Sequence, residues 1–337
     1  AFRRCSDSEG KKGMIVKMKI GIPKGLVVYN YPILYENFFK LLGVEVVYSE
    51  NTNKKIVEDG IKYSIDETCL ASKIFLGHVK NLVDRKEKEK IDYIFIPRIA
   101  FFGKKDTVCV KFYAQYDICK NTFNSDFICL NVDYSKGMTE FKAFLKLGLS
   151  LGFKYKNVVY SYIKARNMQR IYDLTKYKKQ IDNLKSSDNM NILVVAHPYV
   201  IFDEYIGKPI LSYLKKNNVN VCFASINKYL NGNVKLKNDE GYKSISKALY
   251  WTYNRNLLNG ISEYLNSIDG IIYLSTFPCG PDALVNELVL RKVTSKPSLN
   301  IILDEQDARA GLYTRLESFI DILNQKKVKV SGWYGKN

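Results

Sequence analysis

The chain has 337 residues, 46% of them hydrophobic, which is enough apolar surface for two packed domains and excludes a short disulfide-stapled scaffold. Its 52 basic and 34 acidic side chains leave a formal charge of +18, but the lysines look scattered, so nucleic acid is disfavoured as a partner. An acidic protein, a phosphate-bearing substrate or plain genome composition each account for the excess. No apolar run is long enough to span a bilayer, and the polar, basic start AFRRCSDSEGKKG lacks the apolar centre of a secretion signal, so no membrane association and a cytoplasmic location are expected.

Residues 1–13 precede two candidate starts, Met14 and Met18, and are expected to be a disordered tail or an expression remnant. Residues 14–152 then alternate strand and helix. Strands are predicted over 15–22, 44–48, 91–97 and 126–132. Helices are predicted over 31–42, 54–63, 66–84, 109–122 and 138–151, with a loop between the third strand and the helix at 109. β-branched and aromatic runs separated by helical periods predict a parallel sheet, and hence an N-terminal α/β domain.

From 153 to 189 the chain is strongly polar and reads as a helix ending in a Ser/Asp/Asn loop, the expected connection between domains. Residues 190–337 repeat the α/β pattern. Strands are predicted over 191–196, 219–224, 270–275 and 299–303, with a long helix near 241–266 and a last one near 308–325. The fold class expected is α/β, with two Rossmann-like domains of mainly parallel sheet.

Seven cysteines in a mid-sized chain favour free thiols or metal ligands over disulfides. Cys5 lies in the tail. Cys129 (DFICLNV) and Cys222 (VNVCFAS) sit in strand-like runs and read as small buried apolar groups. Cys69, Cys109 and Cys279 share another context, each where the chain leaves a sheet or enters a helix. Asp66 or Thr68 is expected to cap a helix that has Cys69 in its first turn; Pro281 suits a first helical turn just after Cys279. Such edges of α/β folds bind ligands, and helix N-termini favour thiolates. Spacing by itself leaves open three unrelated turn cysteines. It also leaves open a zinc site, which would want a fourth ligand such as Cys119 or a histidine.

Of the two histidines, His78 is nine residues beyond Cys69 and falls near the opposite face of a shared helix. His197 ends the strand NILVVAHPY and reads either as a satisfied turn histidine or as a group facing a ligand. Lys73 and Lys111 follow Cys69 and Cys109, either offsetting charge there or lying on solvated helix faces. Asp282 and Glu287 read as structural groups at a helix start. Arg309 and Arg315 read as partners for Asp304, Asp307 or Glu317. The chain contains neither GxxxxGK[ST] nor GxGxxG, so it carries no recognisable phosphate loop of its own.

Several stretches together resemble one family: IGIPKGLVVYNYPILYENFFKLLGVEVVYS, DETCLASKIFLGHV, IDYIFIPRI, VCVKF, AHPYVIFDEYIGKPI, YWTYNRNLL, DGIIYLSTFPCGPDALVNELV and LDEQDARAGLYTRLESFID. They are similar to the uncharacterised domain fused to, or encoded beside, 2-hydroxyacyl-CoA dehydratase activases. That domain is related to the dehydratase and benzoyl-CoA reductase subunits and to the double-cubane cluster proteins. The resemblance covers about 18 to 323. It implies two Rossmann-like domains with a [4Fe-4S] cluster in the cleft between them, held by Cys69, Cys109 and Cys279.

The resemblance also implies an ATP-hydrolysing iron–sulfur activase as electron donor and a homo- or heterodimeric assembly. The substrate implied is a small molecule, with CoA thioesters among the options. A non-catalytic cluster-bearing electron carrier or scaffold is the alternative it leaves. Two departures stand out. Only three cysteines match, which points to a single cubane, and the second site reads Cys109–Val110 where relatives carry cysteine–proline.

Overall fold

The computed structural model describes residues 17–103, 106–186, 189–228, 249–306 and 309–334. The expected tail at 1–13, with Cys5, lies outside the described residues, as does the expected helical stretch 241–248. The chain divides into two compact units. The first reaches to Tyr172 but leaves out Glu67–Leu70; the second takes Glu67–Leu70 and the chain from Asp173 onward.

The first unit contains β1 (Lys19–Ile22), α1 (Leu34–Leu41), β2 (Glu45–Tyr48), α2 (Lys54–Lys62) and most of α3 (Leu70–Glu89). After these come β3 (Tyr93–Gly103), β4 (Asp106–Thr107), α4 (Val110–Thr122), β5 (Phe127–Asp133) and α5 (Glu140–Ser150). Strands β2, β1, β3 and β5 pair in that order, all parallel. The apolar run of β1 buries Ile20 and Ile22 completely. Against the sheet pack Phe38 and Phe39 of α1 and Phe144 of α5, with Phe39 edge-on to Phe95 of β3 and Phe38 edge-on to Phe144. Asn53 caps α2 and Thr139 caps α5 through their side-chain oxygens, as residues of these types do at helix starts.

The third strand is longer than its predicted span 91–97. Beyond Pro97 its backbone keeps pairing with β5 as far as Asp133, and it turns back on β4 where a loop was expected. Helices α2 and α3 touch backbone to backbone. A Cβ on Gly60 would lie 2.1 Å from the Lys73 carbonyl oxygen, and one on Gly77 would lie 1.9 Å from that of Ile56.

The second unit contains β6 (Met190–Val195), α7 (Pro198–Ile201), α8 (Lys208–Lys216), β7 (Val219–Phe223) and α9 (Thr252–Tyr264). These lead to β8 (Gly270–Thr276), α10 (Gly280–Lys292), β9 (Ser298–Leu303) and α11 (Arg309–Tyr334). Its sheet runs β7-β6-β8-β9, again parallel throughout. Every residue of β8 is buried, as a central parallel strand requires. Leu193, Cys222, Leu258, Ile261, Tyr264 and Tyr273 build the core on one side of it. Both units are therefore α/β with Rossmann-like parallel sheets.

One helix, α6 (Tyr155–Ser186), occupies nearly all of the stretch 153–189, and the division between units falls within it. A buried glutamine ties it into each unit. In the first, Gln169 Oε1 accepts from the N–H groups of Ile33 and Leu34, both at 3.0 Å. In the second, Gln180 donates to the carbonyls of Phe223 and Ile226 and accepts from Phe223 N–H. No described helix is long and apolar enough to cross a membrane.

Candidate functional site

In the second unit β6 and β8 are neighbours, while the next strand after β6 lies on its other side. Chains leaving the carboxyl ends of β6 and β8 thus diverge, and such a point in an open parallel sheet is where ligands bind. The segment leaving β6 carries His197. The segment leaving β8 carries Phe277, Pro278 and Cys279, and Cys279 is the residue just before α10. A third segment joins them: the N–H of Leu70 donates to the carbonyl of Phe277 at 2.9 Å, which sets Cys69 close to Cys279.

Asp282, in the first turn of α10, is the buried hub of this cluster. Its Oδ1 accepts from His197 Nε2 at 2.9 Å and from Asn254 Nδ2 of α9 at 2.7 Å, and all three residues are buried. Burial opposes ionisation of Asp282, but the His197 and Asn254 contacts and the Cys279 thiol outweigh it and hold the carboxyl below its ordinary range. The Cys279 thiol is pushed far up, first by burial, then by the Asp282 carboxylate and by Cys69. His197 also stacks on Tyr199, with ring centroids 5.0 Å apart.

Cys109 belongs to the first unit. It immediately precedes α4, and like Cys279 it offers its helix no side-chain cap. Near it on the chain, Arg98 of β3 donates through Nε to the Tyr113 carbonyl at 2.9 Å, stacks over the Tyr113 ring and pairs with Asp117 at 3.3 Å. Cys119 is fully buried on α4, and burial pushes its thiol up. Burial also raises Cys129 and Cys222 to about 12, and the Cys222 sulfur faces the Ile192 carbonyl at 3.6 Å. Cys222 is buried, as its strand context predicts, while Cys129 is only partly so.

Cys69 lies one residue before α3 rather than inside its first turn, because the chain from Asp66 to Thr68 is still turning and helical geometry starts at Leu70. All three cysteines thus stand at the position before a helix. Among the described residues no group of three or more His, Cys, Asp or Glu side chains is placed to hold one metal ion.

His78 is fully buried, with Nδ1 2.9 Å from Ser49 Oγ and Nε2 2.9 Å from Thr52 Oγ1; it takes no part in the Cys69 neighbourhood. Lys73 is buried at 3% exposure, so it does not lie on a solvated helix face. Glu287 pairs with Arg291 on the surface, whereas Asp282 is the centre of the buried network. Arg315 donates to the Asn300 carbonyl, and among the described residues it forms no ion pair with an acid; Asp307 and the side chain of Arg309 lie outside the described residues.

Sequence reasoning weighed His197 and Asp282 singly and missed their pairing. Asn254 carried no signal, since nothing in YWTYNRNLL marks one asparagine as a partner for a residue 28 positions on. A strand-end histidine together with an aspartate in the first turn after the next switch strand is the pattern that could have found the pair.

A family model described as the CoA enzyme activase uncharacterised domain (DUF2229) matches residues 19–226, more than half of the chain. No curated protein matches it. Among solved structures the chain is similar to the Zn(II)-bound ZnuA-like domain of Streptococcus pneumoniae AdcA, with 10% identity over 92% of this chain and 98% of that one, at a TM-score of 0.26. At that score the likeness informs neither fold nor function.

Proposed function

The chain belongs to the family of the CoA enzyme activase uncharacterised domain, and from that premise we propose that it is an iron–sulfur redox protein whose Cys69, Cys109 and Cys279 hold a [4Fe-4S] cluster. The observation that carries the proposal is the Leu70–Phe277 bond, which brings two cysteines distant in sequence together at the switch point of a parallel sheet. By residue type the three donors suit the group. The sulfurs are soft ligands placed before helices, and each of the three is partly accessible rather than sealed in a core; at Cys279 ligation would have to displace a proton that burial and the Asp282 carboxylate hold on the sulfur. Such a cluster supplies one-electron chemistry at low potential and, with three protein ligands, leaves one iron open to water, hydroxide or substrate.

The chain's own residues have separate tasks in this reading. Cys69, Cys109 and Cys279 bind. Asp282 accepts the hydrogen bond of the protonated Cys279 thiol, a proton that cluster ligation would displace, while His197 and Asn254 fix the carboxylate beside the sulfur. The chain has no phosphate loop, so ATP-driven reduction falls to a partner, an ATP-hydrolysing iron–sulfur activase. The electron is delivered to a small molecule, a CoA thioester being the substrate class of the related enzymes. The test is electron paramagnetic resonance of anaerobically purified protein mixed with activase and ATP, separately and together. A new signal only when both are present is expected. Reduction by a mild donor at the same rate with or without them would overturn the dependence.

A further inference from the structure

We propose that the solvent face of α6 in the first unit docks an acidic protein surface, and that the partner offering it is the activase. In this part of α6, Val158, Ser161, Ala165 and Gln169 are buried to within 1% and define the inner face. On the opposite side Tyr160, Ile163 and Ile171 are 57%, 51% and 61% exposed. At about 100° per residue these three and the exposed Lys156, Lys164 and Arg170 share an arc of about 120°. Between Tyr155 and Tyr172 the sequence has no Asp or Glu at all. Read along the chain the basic residues look scattered; the helix gathers them, because buried positions fall between them.

Glu140 of α5 reaches α6 at Arg166 and Tyr162, outside this arc, so the charged side chains that α6 itself sets along the apolar ridge are all bases, and that selects its occupant. A second copy of the same face would oppose like charges, which costs rather than stabilises. Isoleucines on the ridge offer nothing to phosphates or base edges, which disfavours nucleic acid. Asn167 interrupts the ridge, and no Trp or Phe flanks it, which disfavours insertion into a lipid surface. What complements it is a protein surface with its own apolar strip and an acidic rim. The charges would steer the encounter and the isoleucines would hold the complex.

Identifying the partner as the activase rests on the proposed function; the location and chemistry of the face do not. The experiment is binding of purified activase to the full chain under anaerobic conditions, by biolayer interferometry at two salt concentrations. Two independent variants are compared with wild type: Ile163→Ser with Ile171→Ser, and Lys156→Glu with Lys164→Glu and Arg170→Glu. A control reverses three exposed lysines elsewhere on the first unit, Lys54→Glu, Lys120→Glu and Lys146→Glu, so that net charge changes equally.

Each α6 variant is expected to bind about tenfold more weakly or worse, with the control within about threefold of wild type. Wild-type affinity should fall with salt more steeply than that of the charge-reversed variant. Equal binding by wild type and both α6 variants would overturn the docking face while leaving the activase reading standing. Wild type that does not bind activase at all would overturn both. Loss in the α6 variants of binding to phosphatidylglycerol vesicles or to duplex DNA, with activase binding intact, would reassign the face and overturn the proposal.

Discussion

The backbone N–H of Leu70 donates to the carbonyl of Phe277 across 2.9 Å, and this bond places Cys69 close to Cys279 although they stand 210 positions apart in sequence. Its consequence is chemical. Cys69 precedes α3, Cys279 precedes α10, and the carboxylate that touches the second sulfur is itself held by His197 and Asn254. A sulfur pair is thereby backed by a fixed polar network.

That network predicts a stability effect. His197→Ala would leave the Asp282 carboxylate buried with one donor fewer. The expected loss is about 2–4 kcal/mol in urea unfolding of the apo protein, because a buried charge stripped of a partner keeps its desolvation cost. His197→Gln, which can still donate, should recover part of it. A loss below about 0.5 kcal/mol for the alanine variant would contradict the account.

Stability should also fall with acid before the carboxylates titrate. Burial first, and then the Lys24 charge, push His78 down from its ordinary 6.5 to about 3. The folded chain therefore binds fewer protons than the unfolded chain in that window. The contribution is full above 6.5 and is lost as pH falls toward 3, at up to about 1.4 kcal/mol per pH unit. His78→Gln removes the titrating group and should flatten unfolding free energy between the two pH values relative to wild type. An unchanged slope would refute the assignment.

The α2–α3 crossing gives a third prediction. Because a Cβ on Gly77 would meet the Ile56 carbonyl oxygen at 1.9 Å, Gly77→Ala must push two helices apart. We expect a cost of about 2–4 kcal/mol, against about 1 kcal/mol for Gly137→Ala, which meets no atom and is strained only by its left-handed backbone at φ 69°. Thermal unfolding of the two variants side by side measures the contrast, and equal losses would contradict it.

The sequence foretold the alternation of strand and helix and the placing of all three cysteines at helix entrances, because both rest on local patterns: β-branched runs, turn residues and helical periods. It did not show the length of β3, which is decided by pairing with β4 and β5 and not by its own residues. Nor did it show that Lys73 is buried, since a lysine on a helix carries no mark of what packs over it. The His197–Asp282–Asn254 contacts join three elements whose neighbourhood exists only once the sheet has formed. The basic face of α6 lay hidden for the opposite reason: its residues are local, but they become neighbours only at helical spacing.

The claim that three cysteines hold one cluster is tested most directly by iron and inorganic sulfide analysis, with visible absorption, of anaerobically purified wild type and five single Cys→Ser variants. The account predicts a brown wild-type protein with iron and sulfide in equal amounts. Sharp loss of both is expected in Cys69→Ser, Cys109→Ser and Cys279→Ser, and near-wild-type content in Cys129→Ser and Cys222→Ser. A wild-type protein that stays colourless after anaerobic reconstitution, or equal iron loss across all five variants, would contradict it.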